Sequence, residues 1–370
     1  ELVKRFAPFT GTSWLTAVMA KRKLNEAYAI LGGQFPHCNV FVPGGVTCAP
    51  TAADIIKVLS ILMEVQDIVE EMVLGCSVER WLENKTLEDV QNWLGEDGHE
   101  NGDLGLFIKY GPELGLNTIG AGPARFVSYG VYDLPQGTTW LKPGFYDGEF
   151  HPFDQAKITE HVKHSWYEDY EGGKHPRAGE TKPYYATGND KYSYAKAPRY
   201  EDEPAQVGPL SRQINDQDPL VLDLGQKLGI NPFTRELARL QEEVRLLAQI
   251  RAWIGQLNLK ESFYVKPPDT PQRATGIGLT EAGRGALGHW INIEGGKIAN
   301  YQVITPTAWN VSPKDSLGQH GPIEQAVIGT PVPDESNPIE VQHVIRSFDP
   351  CLACTVHLVR GEKSLRRFQV

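Results

Sequence analysis

The chain has 370 residues, of which 41% are apolar and 22% are charged, and its formal net charge is −10 at pH 7. This balance is typical of a globular protein, and the acidic charge argues against nucleic acid as a main partner. The five cysteines are too few for a disulfide scaffold, and their odd number argues against complete pairing. No unbroken apolar run reaches the roughly 18 residues that a membrane-spanning helix needs.

The first nine residues lack the apolar segment of a secretory signal, and the chain does not begin with Met. We therefore expect a fragment or a processed product, located in the cytoplasm or at the cytoplasmic membrane. A membrane association would depend on another protein as the anchor.

The first third of the chain carries two helical patterns. Residues 13–31 mix apolar and basic side chains at helical spacing and end at Gly32-Gly33, a signal that terminates helices. Thr51 stands three residues before Asp54, as in a capping box. The apolar residues that follow keep a spacing of three or four, which predicts one buried helix face: Ile55, Val58, Leu62, Val65, Val69 and Met72.

The middle of the chain, from about residue 99 to residue 218, is rich in Gly, Pro, Tyr and charged residues. β-Prone pieces such as the one from Phe126 to Tyr129 alternate with turns, which predicts strands and long loops. Asn231 and Pro232 then suit the N-cap and the first position of a helix. A long apolar pattern follows them at helical spacing: Leu237, Leu240, Val244, Leu247, Ile250, Ile254 and Leu257. The last third returns to segments punctuated by Gly and Pro.

The segment near the C-terminus carries the most chemical information, because Cys351 and Cys354 are separated by two residues and His357 follows. Two such thiols bind one metal ion or form a redox disulfide. A structural zinc site needs four ligands, and the sequence has no second C-x-x-C. A thioredoxin-like pair would open a helix after an early strand, whereas this pair lies near the C-terminus. The residues alone therefore indicate an incomplete site for a soft or borderline metal such as nickel, iron or zinc.

The string from Asp349 to His357, D-P-C-L-A-C-T-V-H, resembles the C-terminal signature of nickel–iron hydrogenase large subunits. Five further blocks resemble the family's motifs in the same order: G-G-Q-F-P-H at 32–37, H-S-W-Y at 164–167, K-A-P-R-Y at 196–200, E-A-G-R-G-A-L-G-H-W at 281–290 and T-P-T-A-W-N at 305–310. The family's N-terminal motif R-x-C-G-x-C is absent. We expect about the last two thirds of a large subunit, either as a fragment or as a split subunit whose missing cysteine pair another chain supplies.

The resemblance, together with the helical patterns, predicts an α+β fold that is mainly α with peripheral antiparallel strands, around a helical core like that of the family. We expect residues 1–98 to form a helical part of this core and residues 99–218 to form a peripheral part of strands and loops. Residues 219–357 would supply a helix and the C-terminal metal-binding part. Residues 358–370 would be a removable extension.

The resemblance also implies a set of metal ligands. In the family, four thiolates hold nickel, and two of them bridge to an iron that carries cyanide and carbon monoxide. By resemblance, Cys351 is a terminal nickel ligand and Cys354 a bridging one. His357 and the carbonyl of Val303 would bind a nearby Mg²⁺. A zinc knot or unligated thiols are the alternatives for the cysteine pair.

The remaining site residues are likewise implied by the resemblance. Arg284 matches an arginine above the open metal position, and Asp349 matches the carboxylate that partners it. A surface salt bridge and a turn cap are the respective alternatives. Further residues match the surroundings of the diatomic ligands, the metals or a proton path, with plain turns and structural roles as the alternatives: Thr305, Pro306, Thr307, His37, Lys196 and Glu324. Where the family has Pro before the arginine, this chain has Gly283.

The implied activity is the reversible heterolytic cleavage of dihydrogen into protons and electrons, in the uptake direction. It requires a small subunit with iron–sulfur clusters and a maturation endopeptidase that cuts after His357. A hydrogen-sensing regulatory hydrogenase shares every residue named above. A non-catalytic relative of the quinone-site subunit of respiratory complex I is a further alternative, although that subunit lacks the cysteines corresponding to Cys351 and Cys354. A plain zinc-binding module is the outside alternative.

Overall fold

The structure is a computed structural model that describes residues 2–185, 190–351, 355–360 and 363–369. For residues 2, 3 and 355–369 the description covers the backbone alone. Within the described part of the chain, no helix combines the length and the apolar character that crossing a membrane requires.

The described part of the chain forms helices and short strands throughout its length. The α-helices are α1 Leu2–Phe6, α2 Thr12–Gly32, α3 Ala52–Ile68, α4 Val78–Leu82, α5 Leu87–Leu94, α6 Asp103–Tyr110, α7 Pro209–Asn215, α8 Pro219–Leu228, α9 Pro232–Gly255, α10 Pro306–Asn310, α11 Pro322–Val327 and α12 Ile339–Ser347. The strands are β1 Phe41–Val42, β2 Gly45–Val46, β3 Phe126–Asp133, β4 Thr139–Tyr146, β5 Phe150–His151, β6 Ile158–His161, β7 Ala197–Tyr200, β8 Arg273–Ala282, β9 Gly285–Glu294, β10 Lys297–Ile304, β11 Thr355–Arg360 and β12 Lys363–Gln369.

The chain divides into two compact units. The first unit comprises Glu1–Tyr110 and Gln241–Thr270, and the second comprises Gly111–Leu240 and Pro271–Val370. Helix α9 begins in the second unit and ends in the first. The four-part division predicted from the sequence stays a prediction.

The first unit is helical, and its two predicted helices are confirmed as α2 and α3. The Thr51 side chain accepts a hydrogen bond from the Asp54 amide while the Asp54 carboxylate accepts one from the Thr51 amide, so the predicted capping box is present. α3 continues directly into a π-helical turn, Val69–Leu74. A core cluster buries the predicted apolar face against α2 and the end of α9: Ala27, Val58, Ile61, Leu62, Val65 and Ile254.

The second unit combines helices with small antiparallel sheets, in the orders β3-β4-β5, β10-β9-β8 and β6-β7. Its central cluster packs aromatic side chains from these sheets and from α10, including Phe145, Tyr200, Trp290 and Trp309. The predicted N-cap of α9 is present, because Asn231 Oδ1 accepts a 2.9 Å hydrogen bond from the Thr234 amide. The mainly α-helical fold with small antiparallel sheets agrees with the predicted fold class.

The meander β8-β9-β10 in the last third was not foreseen, since the sequence pattern assigned strands to the tyrosine-rich middle. The one fully buried position of β8 is Glu281, so no row of buried apolar side chains marks an inward face of this strand. Glycines interrupt both β8 and β9, and glycine is disfavoured in strand interiors. This meander nevertheless carries the arginine of the candidate site.

Candidate metal centre

A cavity of about 800 Å³ lies in the second unit, between the tip of the β8-β9 hairpin, the start of α10 and the end of the α12 segment. Seven of the residues singled out from the sequence line it: Lys196, Arg284, Cys351, Val303, Thr305, Pro306 and Thr307. The structure therefore brings together residues from four segments of the chain at one cavity.

Arg284 lies in the two-residue connection between β8 and β9, where Ala282 pairs with Gly285. A tight hairpin of this kind projects its tip residues beyond the sheet. The side chain of Arg284 is 40% exposed, so its guanidinium faces the open cavity rather than a packed core.

The backbone of this hairpin tip is held from behind by Arg212 of α7. Its guanidinium donates to the carbonyls of Ala282 at 2.9 Å and Gly283 at 3.1 Å. The same guanidinium forms a buried ion pair with Glu281 at 3.0 Å. Because a planar guanidinium presents fixed donors, these contacts restrict the orientation of the tip that carries Arg284.

Asp349 is the partner of Arg284 across the cavity rim. Arg284 Nε donates to the Asp349 carbonyl at 2.7 Å, and Nη2 lies 3.3 Å from the carboxylate oxygen Oδ1. Asp349 has a φ of +49°, which is uncommon for a residue other than glycine. The carboxylate and the guanidinium predicted to form a pair thus lie in contact, although their roles in catalysis stay predictions.

The start of α10 presents backbone and hydroxyl groups to the cavity. Thr305 is the N-cap, and its side-chain oxygen accepts a 3.4 Å hydrogen bond from the Ala308 amide. Pro306 occupies the first turn, where its missing amide hydrogen has no cost. Thr307 and Val303 complete this wall, so hydroxyl, carbonyl and apolar groups lie side by side.

Two buried ionisable side chains, Glu160 and Lys196, form the back of the cavity. Lys196 Nζ lies 3.8 Å from Glu160 Oε2 and donates to Thr181 Oγ1 at 2.9 Å and to Gln302 Oε1 at 3.1 Å. Burial raises the pKa of Glu160 to about 7, since Oε2 is enclosed without a hydrogen-bond partner. Burial also lowers the pKa of Lys196, with Glu160 opposing that shift.

The sequence motifs do not identify Glu160 as a site residue, although the chain carries a signal for it. Ile158 and Glu160 are two residues apart on β6, so both side chains point to the same side of the strand, and both are buried. An acidic residue at an inward strand position is unusual unless a partner is present. Lys196 is that partner, and only the folded chain identifies it.

Other predicted site residues lie elsewhere. His37 belongs to the first unit, in the loop after α2, and is exposed. Glu324 lies on α11, where it accepts a 2.7 Å hydrogen bond from the Tyr192 hydroxyl and lies 2.8 Å from His320 Nδ1. Cys354 falls outside the described residues. His357 lies in β11, for which the backbone alone is described.

The donor set available for a metal is small within the described residues. No group of three or more His, Cys, Asp or Glu side chains that could hold a metal ion occurs there. Cys351 is exposed and reaches the cavity. A single soft thiol beside a guanidinium, a hydroxyl and an open volume fits one face of a thiolate metal centre, with the other donors supplied from elsewhere.

Comparison with known proteins agrees with this geometry. A family model described as nickel-dependent hydrogenase matches residues 10–357. The periplasmic [NiFeSe] hydrogenase large subunit of Desulfomicrobium baculatum is 35% identical over 374 residues, covering 94% of this chain and 66% of the relative. The uptake hydrogenase large subunit of Rhizobium leguminosarum bv. viciae is 31% identical, covering 96% of this chain and 66% of the relative.

Solved structures of the same kind share the fold. The H2-activated [NiFeSe]-hydrogenase of Dm. baculatum superposes with a TM-score of 0.79 at 33% identity, covering 95% of this chain and 72% of the other. The reduced Ni-Fe-Se hydrogenase of D. vulgaris Hildenborough gives a TM-score of 0.78 at 29% identity, with coverage of 93% and 70%. The chain spans slightly less than two thirds of the length of the curated relatives named above. The predicted family is confirmed, and the chain belongs to the nickel-dependent hydrogenase family as part of its large subunit.

Proposed function

We propose that this chain is the catalytic part of a nickel–iron hydrogenase large subunit, which cleaves dihydrogen reversibly into protons and electrons and works in the uptake direction. The observation that carries the proposal is the shared cavity of Arg284, Thr307 and Cys351, with Asp349 bound to Arg284 at its rim. An uptake hydrogenase among the relatives supports the direction.

The chain's own residues fit one side of a nickel–iron centre. Cys351 and Cys354 would supply two thiolates, and a chain with the motif R-x-C-G-x-C would supply the other two. Thr305, Pro306 and Thr307 would surround the diatomic ligands of the centre, and the Thr307 hydroxyl would donate a hydrogen bond to a cyanide. His37 belongs to the same proposal as a neighbour of the metals. When bound, the centre supplies the Lewis acidity and the electron chemistry that break the dihydrogen bond.

The protein groups around the cavity position charge and hold protons. Arg284 presents a positive charge and fixed hydrogen-bond donors, so its role would be to orient and polarise the groups at the centre. Among the described residues, Cys351 at Sγ and Asp349 at its carboxylate lie near this guanidinium and can each bind a proton, and Glu160 lines the same cavity. Val303 and Ala308 add apolar side chains to the wall of the cavity.

The proposal includes further components. The Val303 carbonyl and the His357 imidazole would bind Mg²⁺ together with a ligand from the other part of the large subunit. A small subunit with iron–sulfur clusters would take up the electrons, and an endopeptidase would remove residues 358–370. Intact mass of the active complex tests the cleavage. Cell fractionation tests the proposed location in the cytoplasm or at the cytoplasmic membrane.

The decisive experiment is an infrared spectrum of the chain co-purified with its partners after anaerobic maturation. Metal-bound carbonyl and cyanide stretches, together with dye reduction under hydrogen, are the expected result. A Cys351→Ser variant of the same complex should lose both signals. A folded, matured complex without these stretches, or one that contains zinc and no nickel, would overturn the proposal.

A further inference from the structure

Arg235 of α9 is a buried cation whose hydrogen bonds go to neutral acceptors. Its guanidinium donates to Gln206 Oε1 at 3.0 Å, to the carbonyls of Gly120 at 2.8 Å and Ala121 at 2.6 Å, and to Ser347 Oγ at 3.4 Å. Burial lowers the pKa of Arg235 to about 9. Because a buried charge is costly without a carboxylate partner, a side chain of this kind calls for a specific reason.

The face of the same guanidinium lies over the ring of Phe348, 3.9 Å from the ring centroid. Phe348 is 6% exposed, so the contact is shielded from water. A cation–π contact is strongest when it is desolvated, and arginine's planar group can stack and donate at the same time. The face of the Arg235 guanidinium therefore fixes the ring of Phe348, while the N–H groups at the edge of the guanidinium bind the surrounding backbone.

Arg239 lies one turn further along α9 and supports the same segment. Its Nη2 donates to the Ser347 carbonyl at 3.0 Å, and its Nη1 pairs with Glu236. Ser347 ends α12, and the carbonyls in the last turn of a helix lack partners within that helix. A cation at this end also complements the helix dipole. Two arginines of one helix thus hold the end of α12.

The segment that they hold leads directly to the candidate metal centre. After Phe348, only Asp349 and Pro350 precede Cys351. Asp349 has the left-handed backbone conformation noted above, which persists only where the surroundings fix it. Arg284 binds Asp349 from the cavity side, and Arg235 fixes Phe348 from the core side. Only two residues therefore separate the held ring of Phe348 from Cys351.

We propose that Arg235, assisted by Arg239, is a positioning residue of the metal centre: it fixes Phe348 so that Asp349 meets Arg284 and Cys351 meets the cavity. This inference rests on the proposed function. Arg235 does not itself line the cavity, and its effect is transmitted through Phe348 and the backbone. Outer residues of this kind orient the groups that bind a metal.

The test uses the complete matured complex carrying Arg235→Lys, which keeps the charge but loses the planar fork. Nickel per chain is measured by elemental analysis, and kcat and KM for hydrogen are measured per bound nickel. We expect about a tenfold fall either in nickel content or in kcat per nickel, with KM unchanged. A loss of this size is typical of residues that orient metal ligands without binding the metal themselves. The thermal midpoint is recorded for every variant.

Arg125→Lys is the matched control. Arg125 also lies over an aromatic ring, 4.7 Å from the centroid of Phe145, and donates to the Tyr200 carbonyl at 3.1 Å. It belongs to the same unit but does not line the cavity. This control should lower the thermal midpoint while nickel content and kcat per nickel stay close to those of the unmodified complex.

Phe348→Leu provides a second route if Arg235→Lys fails to fold, because it removes the ring and keeps an apolar side chain. It should cause the same loss of nickel or kcat. Because both changes act on one contact, the loss in the double variant should be smaller than the two single losses combined. Variants that lose thermal stability but keep nickel content and kcat per nickel within about twofold would overturn the positioning role, because outer-sphere residues cost more than that. An unmodified complex that holds no nickel would instead overturn the proposed function.

Discussion

Arg284 binds Asp349 through two different groups, the backbone carbonyl at 2.7 Å from Nε and the carboxylate at 3.3 Å from Nη2. The two residues are 65 positions apart in the chain, one at a hairpin tip and one after α12. The contact joins both sides of the cavity rim and fixes the direction in which the guanidinium points. Activity should therefore depend on the guanidinium of Arg284 keeping both contacts.

Replacing Arg284 by lysine should lower hydrogen oxidation strongly. A single ammonium group cannot reproduce the fixed fork that reaches both the carbonyl and the carboxylate of Asp349. We expect a loss on the order of 100-fold in kcat, the size seen when one positioned donor is removed from an active site. Dye reduction under hydrogen, normalised to bound nickel, measures it.

The control for this change is Arg346→Lys, an exposed arginine in the last turn of α12. Asp349→Asn should cause a smaller loss, because the bond from Arg284 to the backbone carbonyl remains available. Equal rates for the unmodified enzyme and Arg284→Lys would contradict a role for the guanidinium in catalysis.

Gly283 and Gly285 flank Arg284 and should respond in opposite ways to alanine. An added Cβ at Gly283 meets no atom within 4 Å, and its φ lies outside the left-handed region. Gly283→Ala should therefore stabilise the protein by about 0.4–1 kcal/mol, since it reduces the freedom of the unfolded chain.

Gly285 is the matched comparison. Its φ is +129°, and an added Cβ would lie 2.6 Å from the Gly208 amide nitrogen. Gly285→Ala should destabilise by about 1–3 kcal/mol from backbone strain alone. Unfolding midpoints from calorimetry measure both. A stabilised Gly285→Ala variant would show that the hairpin tip relaxes freely.

The buried carboxyl of Glu160 should make stability fall as the pH rises. Burial raises its pKa to about 7 in the folded chain, above the ordinary value of 4.5. The folded state therefore holds this proton more tightly than the unfolded state, and stability decreases between about pH 4.5 and pH 7.

Glu160→Gln removes that titration and should melt higher than the unmodified chain at pH 8, by a larger margin than at pH 5. Thermal midpoints of the purified chain across this range provide the measurement. Glu149→Gln, at an exposed position, is the control and should leave the pH profile unchanged. If the thermal midpoints of Glu160→Gln and of the unmodified chain changed with pH in the same way, the carboxyl of Glu160 would titrate at its ordinary value.

Arg199 and Asp315 form an ion pair whose side chains are both 0% exposed, with 2.6 Å between Nε and Oδ2. Asp315→Ala would leave a buried guanidinium without its carboxylate and should cost about 3–5 kcal/mol. Glu100→Gln breaks the exposed pair with Lys109 and should cost about 0–1 kcal/mol. Denaturant midpoints distinguish the two. If Asp315→Ala lost as little stability as the exposed-pair variant, water would reach the Arg199 site.

The sequence by itself determined the local elements and the family. Helices α2, α3 and α9, the Thr51 capping box and the Asn231 cap follow from neighbouring residues, because caps and apolar spacing act within a few turns of the chain. The blocks of the family's motifs contain six of the candidate residues that line the cavity: Lys196, Arg284, Thr305, Pro306, Thr307 and Cys351. The largest error concerned β8-β9-β10, where exposure and glycine hide the two-residue alternation on which strand prediction depends.

The tertiary structure alone decided which of these residues meet. The pairing of Glu160 with Lys196, the stacking of Arg235 on Phe348 and the double contact between Arg284 and Asp349 join positions far apart in sequence. No local propensity encodes such contacts, because they exist only once helices and sheets have packed against one another. For the same reason, the sequence named Arg284 and Cys351 as candidates, but the fold brought them to one cavity.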